Sequence, residues 1–195
     1  MSIPRGGLWP VRHMNGGGSF QTQRIRKDSG AVGSLLYVGD PVRLISGKAY
    51  GYAAADLSGA VGPGCWGVVA RVLVNEDGRP RVHGLPDQHP NISLTADADW
   101  LDVYTDTGIV FAGREAGSAT NELIGSGLNT ATTARVTAAG ISGTLLNATA
   151  VSADVAPFMC VGVSNFDLDG GGSDAGGRVE VIINFSPFRA STDPT

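Results

Sequence analysis

Charge is scarce in this 195-residue chain: Asp, Glu, Lys and Arg together make up 16% of it, against roughly 25% in an ordinary soluble domain. Apolar residues nevertheless reach 42%, so the scarcity excludes a disordered polyelectrolyte. It suits a molecule whose surface is partly covered by another protein, because the cores of protein interfaces are depleted in charge. Cysteine is nearly absent. Cys65 and Cys160 form no CxxC and have no His close by in sequence, which leaves no zinc or dithiol motif. Two buried free thiols are expected, with a single disulfide as the alternative. Aromatic residues amount to 7%, and the three tryptophans, Trp9, Trp66 and Trp100, are dispersed. Trp66 and Trp100 read as core residues, so no grouped aromatic platform for sugars stands out. Long apolar runs are missing too: none approaches the ~18 residues of a membrane-spanning helix. Gly and Arg interrupt every apolar run before residue 30, so no secretory leader is expected. The expectation is synthesis in a cytoplasm, with no membrane partner.

Glycine, by contrast, is abundant, with 29 copies, about twice the usual share. Residues 1–30 hold Pro4, Gly6, Gly7, Pro10, Gly16-Gly17-Gly18 and Gly30 without periodicity. They read as an extended arm, mobile alone, because glycine raises the cost of ordering and proline interrupts ladders. Residues 1–28 carry five basic side chains (Arg5, Arg12, Arg24, Arg26, Lys27) against Asp28, a balance of +4, while the remainder carries −8. A basic segment on an acidic body points to a negative partner. Five charges with two aromatics, Trp9 and Phe20, are too sparse for a nucleic-acid footprint, so an acidic protein surface is the expected target.

From Ser34 the texture is that of short strands and tight turns. Leu35–Val38 and Pro41–Ile45 flank a Gly39-Asp40 turn, and Trp66–Val74 reads as a buried strand that turns at Asn75–Gly78 towards Arg81–His83. Trp100–Tyr104 and Ile109–Phe111 flank a turn at Thr105–Gly108. Thr133–Thr137 is a strand candidate, and 138–153 is open between loop and short helix. Phe158–Val163 and Arg178–Phe185 form two closing strands joined by an Asp- and Gly-rich loop. No i, i+3, i+4, i+7 apolar pattern persists for three turns. The fold class is therefore all-β, a compact β-barrel or β-sandwich of short strands, with arm 1–33, body 34–190 and tail 191–195.

Motifs of catalysis and ligand binding fail on context. Gly62-x-Gly64-x-x-Gly67 has dinucleotide-binding spacing, but Pro63 lies inside it and a strand, not a helix, follows. Asp167–Asp174 suggests a calcium loop, yet Gly171 and Arg178 stand where an EF-hand needs a ligand and a bidentate Glu. His83 and His89 bracket Asp87, but Pro86 and Pro90 make the stretch a stiff, exposed loop, and there is no fourth ligand. No Gly-x-Ser-x-Gly elbow occurs, and the carboxylates sit at turns. An enzyme is not expected, nor a cofactor or metal.

Read end to end, "SLLYVGDPVRLISG", "GCWGVVARVLVNEDGRP", "WLDVYTDTGIVFAGRE", "NELIGSGLNTATT" and "PFMCVGV…GRVEVIINFSPFR" resemble the decoration, or cement, proteins of tailed-bacteriophage capsids. The resemblance spans about residues 34–190, and its motifs are structural rather than chemical. The chain departs from the commonest form at Thr107-Gly108, where Asp-Pro is frequent, and at Ala112-Gly113, where Glu-x-Gln often follows the Phe. The resemblance implies a β-rich homotrimer on the capsid exterior that fastens neighbouring major capsid protein subunits. Arg5, Trp9, Arg12, Phe20, Arg24, Arg26 and Lys27 are the capsid-contact candidates, and removing residues 1–28 is expected to leave a folded trimer that no longer decorates. A phage tail or fibre component with a carbohydrate- or receptor-binding β-domain shares the texture and stands as the alternative.

Overall fold

The strands follow from alternation. Ile109, Phe111, Val179, Val181 and Ile183 recur at every second position and are fully buried, as a strand with one face on a core requires. The computed structural model describes residues 7–27, 36–52, 64–76, 79–82, 100–117, 121–132, 142–147, 156–164 and 177–184. Its strands are β1 (Trp9–His13), β2 (Thr22–Arg26), β3 (Pro41–Ile45), β4 (Lys48–Gly51), β5 (Gly67–Glu76), β6 (Arg79–Val82), β7 (Trp100–Tyr104), β8 (Ile109–Arg114), β9 (Gly127–Thr132), β10 (Thr144–Asn147), β11 (Phe158–Ser164) and β12 (Arg178–Ile183). The only helical segment among the described residues is a single 3-10 turn, Asn121–Leu123. The protein is all-β.

Two antiparallel sheets result. One runs β1-β8-β12-β11-β9-β10, the other β2-β7-β5-β3-β4 with β6 also paired to β5. Both sheets curl. A parallel bridge between Glu115 and Leu146 brings the chain after β8 beside β10, and another between Lys27 and Ala49 brings the end of β2 beside β4. The arrangement is barrel- or sandwich-like, as the alternation implies.

The first core lies on the inner face of the first sheet, around Phe111, Phe158, Leu128, Leu146, Val181 and Leu8. Val68 of β5 and Tyr104 of β7 reach into it from the second sheet. A second core, with Val42, Ala49, Trp66, Val69, Leu101 and Val103, fills the other face of that sheet. Burial on both faces explains why β5 reads as a near-continuous apolar run rather than an alternating one. A bulge between Val69 and Arg71 lets both faces be served.

Asp40, 2% exposed, joins the two sheets. Its carboxylate accepts hydrogen bonds from the Tyr37 N–H (2.9 Å), the Thr144 hydroxyl (3.0 Å) and the Ser142 hydroxyl. Around it, the Gly7 N–H donates to the Thr144 carbonyl, the Leu8 N–H to the Gly39 carbonyl and the Gly39 N–H to the Val69 carbonyl, each at 2.9 Å. A buried carboxylate is tolerated because donors surround it.

The structure differs from the sequence reading at several elements. The N-terminal segment is extended, but residues 9–13 and 22–26 are laddered: β1 pairs with β8 and β2 with β7. Pro10 is accommodated because β1 is an edge strand and shifts register between Pro10 and Arg12, a place where proline is tolerated. Gly16, Gly17 and Gly18 all take positive φ (67°, 78° and 118°), and this left-handed run carries the chain from one sheet to the other. Residues 36–38 form no strand, whereas Lys48–Gly51 does and hairpins with β3. Thr105–Gly108 does turn the chain, but β7 and β8 belong to different sheets. Within 138–153, residues 144–147 form a strand paired with β9. Thr133–Thr137 and the tail 191–195 lie outside the described residues.

Candidate interaction surface

The seven side chains singled out for capsid contact are brought to different places. Arg5 lies outside the described residues. Arg12, on the outer face of β1, pairs with Glu180 of β12 at 2.7 Å. Arg24, on β2, makes a two-pronged contact with Asp102 of β7, at 2.9 Å and 3.3 Å. The hydrogen bond and charge of Asp102 raise the pKa of Arg24, and Asp102 itself is 5% exposed. Arg26 lies over the Trp100 ring, 4.9 Å from its centroid, a cation–π contact. Lys27 is buried at the end of β2. Arg12 and Arg24 therefore meet acidic side chains of the same chain.

Phe20 is also turned inward. Its ring stacks on His13 (centroids 5.3 Å apart) and meets Tyr104 edge-on (6.2 Å), and Tyr104 in turn touches Phe111 (6.1 Å). This run of rings ties the N-terminal segment to the first core. Trp9 opens onto a surface concavity, a cleft of about 180 Å³ also lined by Gly7, Val11, Ala112, Gly113, Arg114 and Arg178.

Strand pairing builds that cleft. Trp9 of β1 lies opposite Ala112 of β8, and Arg114 of β8 lies opposite Arg178 of β12. Because the side-chain period is two, Ala112 and Arg114 share a face, as do Arg178 and Glu180. The bulge after Pro10 leaves Val11 45% exposed beside them. Arg114 and Arg178 were not found from the sequence. They are far apart along the chain, and no spacing rule signals a cross-strand register.

Both cysteines are buried and unbonded to each other, as expected. Burial pushes the Cys65 thiol up to about 12, and also raises Cys160. Neither has the lowered pKa of a reactive nucleophile. Gly67, the last glycine of the dinucleotide-like motif, opens β5. A Cβ there would stand 2.3 Å from the Tyr104 carbonyl oxygen, so strand packing accounts for this glycine. His83, Asp87, His89 and the Asp167–Asp174 loop lie outside the described residues. Among the described residues no group of three His, Cys, Asp or Glu could hold a metal ion, and no helix is long and apolar enough to cross a membrane. No protein-family model, curated protein or solved structure matches this chain.

Proposed function

We propose that this chain is a structural, non-enzymatic adhesion protein: a decoration protein that binds the exterior of a tailed-phage capsid and stabilises contacts between major capsid protein subunits. The observation carrying the reading is where its distinctive sequence stretches sit. "GDPVRLI", "GVVARVLV", "WLDVY", "GIVFAGR" and "RVEVII" are paired strands or the turn that leads into one, and their large apolar side chains fill the two cores. That these stretches encode packing among the described residues supports a scaffold role. The charge-poor composition supports the same reading.

Decoration of this kind acts by linkage. A protein that binds only the assembled shell stabilises it by RT ln(1 + [L]/Kd), about 2.7 kcal/mol per site at a hundredfold excess over Kd. A homotrimer would multiply modest contacts through an effective concentration of order mM. The test is copy number per virion, by quantitative mass spectrometry and cryo-EM. Hundreds of copies on the capsid exterior are expected. A handful at the tail would establish the fibre alternative, and virions lacking the protein would end both readings.

A further inference from the structure

We infer that the open end of one face of the second sheet, where Arg24, Arg26 and Arg71 gather around Asp102 and Trp100, docks an acidic protein surface through its carboxylate side chains. The inference rests on the adhesion reading above, and it places the contact on a folded sheet face built by three strands rather than along a free arm.

Register assembles that face. Arg24 of β2 lies opposite Asp102 of β7, and Asp102 lies opposite Arg71 of β5. Arg26 lies opposite Trp100, two residues along on both strands. Because side chains alternate, all five project from one side of the sheet. The bulge between Val69 and Arg71 puts Arg71 on the same side as Val68, three residues away, where strict alternation would have turned it into the second core. At one end this side carries Val68 and Tyr104 into the first core. At the other end Arg24, Arg26 and Arg71 are exposed, and three guanidinium groups surround one carboxylate.

Two of these cations are held ready for an anion. Asp102, 5% exposed, takes two of the five N–H donors of Arg24, at 2.9 Å and 3.3 Å, which leaves three for an external acceptor. Trp100 supports Arg26 at 4.9 Å from the ring centroid, a contact that leaves its charge uncompensated. Groups fixed before association lose less freedom when the partner arrives, and a planar guanidinium matches a carboxylate with two parallel hydrogen bonds. Arg71 forms no ion pair with a described residue.

Folding requirements account for only part of this charge. Cations on the edge strand β2 guard against unwanted strand pairing, and Arg24 satisfies Asp102. Neither reason reaches Arg71, because β5 is an interior strand of its sheet. An acidic protein fits better than a nucleic acid. Asp102 stands among the cations and Arg26 covers the Trp100 ring, so the face offers neither a continuous basic track nor an open stacking platform.

The experiment uses the full chain with Arg71→Gln and with the Arg26→Gln/Arg71→Gln pair, at exposed positions that hold no acid of the same chain. In 15N-resolved NMR titrations, an acetylated and amidated hexaglutamate peptide is expected to shift the Trp100 indole N–H and the amides of 24–26, 71 and 101–102. Arg71→Gln should reduce the response and the double variant abolish it, while hexaglutamine produces none. No response to hexaglutamate, an equal response to hexaglutamine, an undiminished response in the double variant, or tighter binding of a thymidine hexanucleotide overturns the inference. In parallel, shells of the major capsid protein are titrated with each protein. The double variant should bind at least about tenfold more weakly than the wild type, and Arg71→Gln more weakly than Arg178→Gln, which removes the same charge from the first sheet. Equal weakening by those two single variants, or wild-type binding by the double variant, rules this face out as the contact. If the wild type fails to bind shells, the adhesion reading falls, and the peptide titration still decides whether this face takes carboxylates.

Discussion

At Gly67 a Cβ would lie 2.3 Å from the Tyr104 carbonyl oxygen and 2.5 Å from Val103 Cγ1, whereas at Gly113 it would meet only the side-chain tips of Leu8 (2.7 Å) and Leu146 (2.9 Å). Backbone cannot yield as a leucine methyl can. Gly67→Ala is therefore expected to cost about 3 kcal/mol or more and Gly113→Ala about 1–2 kcal/mol, measured by urea unfolding. Asp40→Asn replaces one acceptor oxygen by a donor that faces hydroxyl and amide donors, and an expected loss of about 2–3 kcal/mol is checked the same way. Cys65 carries a pH dependence of definite sign. Its thiol is raised from 9.0 to about 12 by burial, so above pH 9 the unfolded chain releases a proton that the folded chain keeps. Stability is complete below pH 9 and is then lost as pH rises towards 12, at up to about 1.4 kcal/mol per pH unit from this group. Unfolding midpoints from pH 7 to 10.5 should fall less steeply in Cys65→Ala than in the wild type, and equal slopes would contradict the assignment.

Elements obey rules that single residues do not reveal. The β3–β4 hairpin turns through Ser46 (φ 49°) and Gly47 (φ 76°), and two central residues at positive φ are what a type I′ turn demands. Serine tolerates that region poorly. Ser46→Asn is expected to stabilise the protein by about 0.5–1 kcal/mol, read as a rise in melting temperature. The β11–β12 hairpin and the alternation of β12 were legible because every second side chain enters one core. The strand at 144–147 was less so: Thr-Leu-Leu-Asn has no clean period, and pairing with β9 decides its state. The N-terminal segment was misleading for a related reason. Glycine and proline content speaks to the isolated chain, while edge pairing on β8 and β7 supplies the hydrogen bonds that hold β1 and β2.

For the molecule as a whole, residues 7–27 are structural. Leu8 is 1% exposed in the first core, and truncating a buried leucine alone costs about 2–5 kcal/mol of a total of roughly 5–15 kcal/mol. Deleting residues 1–27 also removes an edge strand from each sheet. The shortened chain is expected to lose cooperative thermal unfolding by circular dichroism, rather than to persist as a folded body that has merely lost its grip. A stable, cooperatively folding product would show that β1 and β2 are dispensable.

Sequence alone determined the class of the fold. Period-two apolar stretches, glycine and aspartate turns and the lack of helical periodicity leave little but short antiparallel strands, because each strand must bury one face and satisfy its backbone. It also favoured two buried free thiols over a disulfide, and it pointed the N-terminal charges towards an acidic partner. Tertiary structure decided that Arg12 and Arg24 meet acid in the same chain, at Glu180 and Asp102. It decided too that β7 and β8, adjacent in sequence, enter different sheets, and that Arg114 and Arg178 stand side by side next to Trp9. The physical reason is that hydrophobic alternation is written along the chain, whereas register and strand order are set by which faces find each other, through contacts between residues far apart in sequence.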